Sequence, residues 1–354
     1  MSMSSIPSVA APAGCLPAER LDDAASRHWE GEKLGLSLRP LGLADLPQAA
    51  ALLAAALPWD QVAVVAEEKL FGGNGRRSGQ TLGVFSQSLE LLGILGYAGR
   101  FIKLLAVRPD AQRRGIGTAL LATMRQLLTE QTADPGTSPP RLRIGDHPGN
   151  YLAPGVDERY GTAHSFFRAR GLHEVGRNLN LRAPVHDNPL CSEERIASQE
   201  AAVQRAGYTL RRAHVTDMPA LLAFVESQFA AVWAYELRRA LGPGLGGAAA
   251  AHTPELPEGP TIHVAVDAGD QASGAAVAFA AHDGNNRGLG WFGPMGTLPA
   301  HRGRGLGEAL VLRCLADVRT RPEGGVIAWV GPESFYARTC GAVPERRFIV
   351  YEEL

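Results

Sequence analysis

The chain has no C-x-x-C pair, no G-K-[S/T] phosphate loop, no long apolar run and no excess of charge of one sign, and each absence removes a class of function. Its four cysteines, Cys15, Cys191, Cys314 and Cys340, lie far apart. Neither a zinc site nor a disulfide framework is therefore expected, no metal is implied, and a reducing cytoplasm is the compartment that fits. A formal net charge of -1 gives no overall pull toward nucleic acid, which excludes it as the principal partner. Apolar runs fall short of the roughly 18 residues that a spanning helix needs, so no membrane partner is expected. The segment from Met1 to Arg20 is rich in Ser, Ala and Pro but has neither the basic nor the apolar region of a secretion signal, and residues 1–32 read as a flexible leader.

What is present is a duplication. Gln112-Arg113-Arg114-Gly115-Ile116-Gly117 and Arg302-Gly303-Arg304-Gly305-Leu306-Gly307 each close an apolar segment and open an apolar helix. The flanks repeat too, with Pro109 and Pro299 each three residues before the signature. Further upstream, Leu36 to Pro47 and Tyr208 to Pro219 share one grammar: a strand-like alternation, then Asp45 or Asp217 as a helix N-cap, then Pro47 or Pro219 in the first turn. At 354 residues and 45% apolar composition, the chain is long enough for two cores. We divide it into the leader, a first unit over 33–185, a linker over 186–206 holding a short polar helix, and a second unit over 207–354.

Within each unit three neighbouring strands precede the glycine turn: 81–85, 89–98 and 101–107, then 261–267, 274–281 and 289–297. Helices are expected over 115–132 and 305–319, then short strands at 142–145 and 326–330, then helices over 163–170 and 333–340. This is an α+β arrangement in which each sheet contains one strand-to-helix crossover. Gly72-Gly73-Asn74-Gly75, with Arg76 and Arg77, reads as a surface turn.

Successive N–H groups of a glycine turn at a helix start converge on a point, which suits phosphate or pyrophosphate. The dinucleotide fingerprint fails at its third glycine, where Leu120 and Leu310 stand. The pattern [Q/R]-x-x-G-x-[G/A], after a strand that ends two residues before a proline, instead resembles motif A of the GNAT superfamily of N-acetyltransferases. The resemblance covers residues from about 34 to 354. It implies two tandem GNAT-like domains, each a mixed, mostly antiparallel sheet flanked by helices, with a bulged fourth strand splayed from the fifth. Acetyl-coenzyme A would lie in that gap. Its pyrophosphate would rest on Gln112 to Gly117 or Arg302 to Gly307, and its pantetheine along Leu105, Ala106 and Val107 or Met295, Gly296 and Thr297.

The resemblance also assigns chemistry. Ser334 to Gly341 is similar to the family's F-Y-x-x-x-G segment with one extra residue before the glycine, which makes Tyr336 the general acid that protonates the leaving thiolate. In the first unit Phe167 occupies that place, so an acid there would come from elsewhere, such as Tyr160 or Tyr151, unless the thiolate leaves unaided. The oxyanion donor would be a backbone N–H near Thr297, or near Val107 in the first unit. Neither fourth strand carries the carboxylate the family often uses as a base, and His263 and His282 are the alternatives. Phe229, Trp233, Tyr235 and Glu236 fall at helical spacing: Trp233 and Glu236 could form an acceptor wall for a cationic amine, or Phe229, Trp233 and Leu237 could be a core stripe. The insertion Pro148 to Asp157 suggests a rigid loop that caps a pocket or a long connection.

The expectation is therefore an acetyl-coenzyme A-dependent N-acetyltransferase acting on a primary amine of a small molecule or peptide, monomeric or homodimeric, with its chemistry mainly in the second unit. The alternative is a coenzyme A-binding regulatory or interaction protein without turnover.

Overall fold

The second unit's last strand belongs to the first unit's sheet. In this computed structural model, which describes residues 35–72, 80–132, 138–240, 261–270 and 275–354, thirteen strands form one continuous sheet. The leader and the turn 73–77 lie outside the described residues.

The first half contributes β1 (Ser37–Pro40), β2 (Gln80–Phe85), β3 (Leu91–Ala98), β4 (Phe101–Val107), β5 (Arg143–Ile144), β6 (Val156–Asp157) and β7 (Leu172–Arg182). The second contributes β8 (Tyr208–Arg212), β9 (Ile262–Asp267), β10 (Ala276–His282), β11 (Phe292–Thr297), β12 (Val326–Ile327) and β13 (Val343–Glu353). The strands run β1-β2-β3-β4-β5-β13-β7-β12-β11-β10-β9-β8, with β6 on the side of β13. Thus β5 pairs with β13, β12 pairs with β7, and β7 and β13 pair with each other at the centre. The pairings β4 with β5 and β11 with β12 are parallel, and all others described are antiparallel.

Nine helices are described: α1 (Leu46–Ala56), α2 (Val62–Phe71), α3 (Ile116–Glu130), α4 (Gly161–Arg168), α5 (Glu193–Arg205), α6 (Met218–Gln228), α7 (Ala231–Arg239), α8 (Leu306–Asp317) and α9 (Glu333–Cys340). Asp45 and Asp217 stand at the N-cap positions of α1 and α6, as expected, but their side chains do not cap those helices. Their carboxylates accept from Gly42 N and His214 N at 2.8 and 2.7 Å. They brace the short 3-10 turns that feed α1 and α6, and each also takes a guanidinium, Arg39 or Arg211.

The cores follow the strand exchange. Ile349 and Tyr351 of β13 join Ile102, Leu120 and Met124 under α3. Leu181, Ala183 and Val185 from the first half join Leu310, Leu315 and Ile327 under α8. A third cluster takes Leu53, Val65, Tyr151 and Leu152 from the first half and Leu289, Trp291 and Val326 from the second. Because β13 is enclosed on both faces, Phe348, Ile349, Val350 and Tyr351 are all buried in a row, the pattern of an interior strand rather than an alternating edge.

Candidate functional site

Both glycine turns adopt the same backbone. A 3-10 turn at Pro109–Ala111 or Pro299–His301 leads to two left-handed residues, Arg113 and Gly115 (φ 62° and 89°) or Gly303 and Gly305 (φ 76° and 78°), and the helix begins at Ile116 or Leu306. A left-handed residue before a helix turns successive N–H groups to one side, the geometry of an anion nest. Gln112 Nε2 donates to Val107 O at 3.1 Å and Arg302 Nε to Thr297 O at 3.2 Å. These side chains brace the turn against the strand before it.

The fourth strand of each unit is bulged at matching positions. Gly96 faces Leu104 and Tyr97 faces Ile102, which leaves Lys103 as the extra residue of β4. In β11 the slip falls at Gly293 and Pro294. Beyond its bulge β4 has parted from β5, whose pairing stops at Phe101 and Ile102. A bulge that bends a strand from its neighbour opens a gap in a sheet.

In the first unit that gap is a cleft of about 460 Å³. It begins at Gln112, Arg113 and Gly117, follows Val107 to Lys103 along β4, and ends at Trp59, Asp60 and Tyr160. Phe166 closes one side, since a Cβ on Gly117 would meet its ring at 3.2 Å. The insertion after β5 builds the opposite wall. A Cβ on Gly145 would lie 2.6 Å from Gly155 Cα, and Gly145 has φ 87°, so the loop folds back where no side chain fits. Its end pairs as β6 with β13, and its middle is held by Asn285 and Asn286 of the second unit, whose Nδ2 groups donate to Tyr151 O and Leu152 O at 2.9 and 3.0 Å. The expected cap for a pocket is therefore a wall locked to the other unit.

The mouth of the cleft carries a charged chain. Tyr160 Oη donates to Asp60 Oδ2 at 2.7 Å and accepts from Trp59 N at 3.3 Å. Arg346, on the exchanged strand β13, donates to Asp60 Oδ1 at 2.8 Å and to Asp157 Oδ2 at 2.7 Å, and Arg159 also holds Asp157. Burial, with Asp60 beside it, pushes the Tyr160 phenol well above its ordinary value. Phe167 lies in the core under α3 and Tyr151 in the core shared by the two halves.

At the bulge the cleft borders a buried charge network. Glu68 accepts from Lys69 Nζ at 2.6 Å and from the N–H groups of Asn286 and Arg287, while Lys69 Nζ also donates to Asn150 and Asn285. Burial opposes the charge on Glu68, yet Lys69 and Arg239 hold it down to about 2. Burial brings Lys69 to about 8, Lys103 to about 7 and His147 to about 4. It raises Glu236, the expected acceptor-wall carboxylate, to about 7. A carboxyl whose folded value lies above its unfolded value of about 4.5 stabilises the fold fully below that pH and loses the contribution as pH rises through about 7. Glu236→Gln is expected to remove this component. Thermal melts of the variant should lose less stability between pH 4.5 and 7.5 than wild type, and an unchanged profile would contradict the assignment.

The second unit's glycine turn is packed differently. Helix α5 lies across its glycine turn: Gln199 Nε2 sits 2.5 Å from where a Cβ of Gly305 would be and donates to Gly305 O at 3.4 Å. Arg195 pairs with Glu308, in the first turn of α8, and Glu200 with Arg313. A carboxylate at that helix start competes with a bound phosphate for the same positive end. Tyr336 is 6% exposed, its ring against Phe292 and Phe335, and burial pushes its phenol well up. Trp233 stacks on Phe229, which covers Gly296 of β11, and Leu237 is fully buried, so this is the core stripe. Glu236 is buried at the network above. Met295 packs on the second core, and Thr297 pairs with Ala278.

His263 and His282 lie beneath α8, where Nε2 of each approaches Asp317 Oδ2 at 2.7 and 3.3 Å, and His282 Nδ1 lies 2.8 Å from Asp283. Burial would raise Asp317, but these hydrogen bonds hold it far below the ordinary carboxylate range. Burial lowers His263 despite Asp317, while Asp283 and Asp317 overcome burial and raise His282. Neither histidine lines the first cleft.

The sequence reading missed Trp59, Asp60, Lys103, Asp157 and Arg346. Lys103 had a signal, the bulge the resemblance implies. Arg346 had none, because its strand is borrowed.

Among the described residues no group of three or more His, Cys, Asp and Glu could hold a metal ion, and no helix is long and apolar enough to cross a membrane. No protein-family model and no curated protein matches the chain. Solved structures do. A GCN5-related glucosamine N-acetyltransferase region of a fungal multi-domain GH3 β-N-acetylglucosaminidase matches 90% of this chain at 17% identity and TM-score 0.65, and the chain spans 38% of that protein's length. A tandem GNAT protein from the clavulanic acid biosynthesis pathway matches 90% of this chain and 98% of its own, at 18% identity and TM-score 0.56. A GCN5-related N-acetyltransferase from Sphaerobacter thermophilus gives 90%, 95%, 17% and 0.55. The fold is thus the tandem GNAT fold: two mixed α+β units in one chain.

Proposed function

We propose that the protein transfers an acetyl group from acetyl-coenzyme A to the primary amine of a small molecule or peptide, and that the reaction belongs to the first unit. The continuous cleft from the glycine turn, past the β4 bulge, to the Tyr160–Asp60 mouth carries this reading. The sequence expectation that Tyr336 and Thr297 do the chemistry loses support from the packing around Tyr336 and from the helix laid over the second turn.

Acetyl-coenzyme A would supply the activated thioester. The left-handed turn at Arg113 to Gly115 would take its pyrophosphate on backbone N–H groups, with the positive end of α3 behind them. Leu105 to Val107, freed from β5 by the bulge, would pair with an extended pantetheine as a further strand. The N–H near Val107 is the matching oxyanion donor. Lys103 lines the cleft at the bulge and, with burial holding it at about 7, exchanges a proton with an acceptor ammonium near neutral pH. Tyr160 stays protonated there and is the phenol at the mouth that can return a proton. Holding both reactants in one cleft supplies much of the remaining rate. A cytoplasmic location and a monomeric or homodimeric state belong to the same proposal.

The second reading is a protein that binds acetyl-coenzyme A without turnover. Phe167 at the phenol position and the engagement of Tyr160 with Asp60 favour it. Calorimetric titration with acetyl-coenzyme A is expected to give one site per chain. Gly115→Val, which forces a branched side chain to φ 89°, should weaken it by about tenfold or more, while Gly305→Val leaves it in place. Amine-dependent thiol release then separates the readings, and Tyr160→Phe is expected to lower kcat by about 10²-fold with little change in cofactor affinity. Two equivalent sites would return the second turn and Tyr336 to the reaction, and no binding would sink both readings.

A further inference from the structure

Of the eight large apolar side chains exposed among the described residues, Trp59 alone is aromatic and alone lines the cleft. It stands in the loop between α1 and α2 and is 51% exposed. Single exposed apolar residues are ordinary on a protein surface and need no ligand. Trp59 differs because it is held in place at the mouth of a cavity.

Its backbone N donates to Tyr160 Oη at 3.3 Å, and the next residue, Asp60, is tied to Tyr160 and Arg346 at 2.7 and 2.8 Å. The Arg159 guanidinium lies over the indole, 4.6 Å from the ring centroid. Arg159 is itself fixed by Asp157, through Nε to Oδ1 at 2.8 Å and Nη2 to Oδ2 at 2.7 Å. A planar cation held against the ring fixes the indole and already uses much of its attraction for positive charge. The surface left open is what a ligand at the mouth meets.

The charges around it are matched within the chain. Asp60 takes Arg346 and the Tyr160 hydroxyl, and Asp157 takes Arg159 and Arg346. A charged tail on a ligand would give up its water here without gaining an unpaired partner among these four groups. Apolar residues line both walls: Ala56, Leu57 and Pro58 where α1 ends, and Leu152, Ala153 and Val156 on the insertion. Such walls leading to a braced indole suit a flat, uncharged ring, which buries area against the lining and stacks on the indole. Because half of Trp59 is open, that ring lies at the rim, and the cleft of about 460 Å³ is left for the thioester and an alkyl arm.

We propose that the acceptor is an arylalkylamine whose ring lies on Trp59 and whose aminoalkyl arm runs into the cleft toward the β4 bulge, which makes Trp59 a specificity-determining residue. The inference rests on the reading of the first cleft as the acyl-transfer site.

The probes are 2-phenylethylamine and 4-phenylbutylamine, two arm lengths with one ring. Their cyclohexyl analogues keep the apolar bulk without a flat ring, and hexylamine, 6-aminohexanoate and 1,6-diaminohexane carry no ring, with a neutral, anionic or cationic tail. Calorimetry on the full-length protein saturated with coenzyme A is expected to show the better aryl amine binding about tenfold more tightly than the three ringless amines, and about threefold more tightly than its cyclohexyl analogue. Trp59→Ala should bring the preference for the aryl amine over hexylamine to near one, and Trp59→Phe, which keeps a ring, should restore most of it. An aryl preference without turnover of any amine would support the assignment of Trp59 while overturning acetyl transfer, and acetylation of these amines without an aryl preference would do the reverse. Tighter binding of a charged comparator, a cyclohexyl analogue that binds as well as its aryl partner, or an undiminished preference in Trp59→Ala would also overturn the assignment. If Trp59→Ala does not fold, Trp59→Phe and the ranking of the amines on the wild-type protein decide.

Discussion

Ending the chain after Ala342 is expected to abolish binding of acetyl-coenzyme A by the first unit, although the glycine turn and the whole of β4 remain. The missing segment, β13, supplies the neighbour of β5 and of β6, so its loss uncovers the edge of the sheet that carries the cleft. Phe348, Ile349, Val350 and Tyr351 are 0–5% exposed, and at about 1.5–3 kcal/mol for each large apolar side chain they represent roughly 6–12 kcal/mol of burial. That matches the entire stability of a typical domain, about 5–15 kcal/mol. Circular dichroism and cofactor titration of the truncated chain test this. A truncated protein that melts cooperatively near the wild-type temperature and still binds would refute the exchanged arrangement. The isolated first half, ending near residue 185, is expected to fail for the same reason.

Arg346→Met should produce the second large effect. The guanidinium stands between Asp60 and Asp157, whose side chains are 5% and 2% exposed. Removing one partner of a buried ion pair while leaving the other typically costs about 3–5 kcal/mol, and here Asp60 keeps the Tyr160 hydroxyl while Asp157 keeps Arg159. Arg346→Lys retains the charge but cannot bridge two carboxylates with a planar fork, so it should recover part of the loss. Chemical denaturation gives the stability change and turnover gives the effect on the cleft mouth. Equal stability of the Met variant and wild type would show that the bridge is solvated and carries little.

The sequence made the cradle legible because a glycine turn is a local device. The residues that set its φ angles, Gly115, Gly303 and Gly305, are adjacent in the chain to the strand and helix they join. The duplicated Pro, Gly and Asp positions likewise exposed two copies of one α+β unit, whereas the insertion after β5 could be read either as a cap on a pocket or as a long connection. Strand partners were not legible. The sequence reading placed no strand over Leu172–Arg182 or Val343–Glu353, and nothing local in either segment says that β7 and β13 pair with each other across the two halves. Motif matching located the phenol at Tyr336 but could not see Phe292 and Phe335 closing around it. Glu68 and Lys69 were not singled out, because the partners that hold them, Asn285, Asn286 and Arg287, arrive from the second half.

The exchanged strand also sets a timetable. Ile144 leaves the ribosome roughly 200 residues before Val343, its neighbouring strand's first residue, which at about 5–20 residues per second is a wait of roughly 10–40 s. During that interval β5 and β7 present unpaired edges, a state open to capture by chaperones or by the same segment of another nascent chain. Synthesis of the whole chain is thus a precondition for assembling the first half's cleft, and a stalled or prematurely ended translation product should carry the complete cradle sequence without a working cradle.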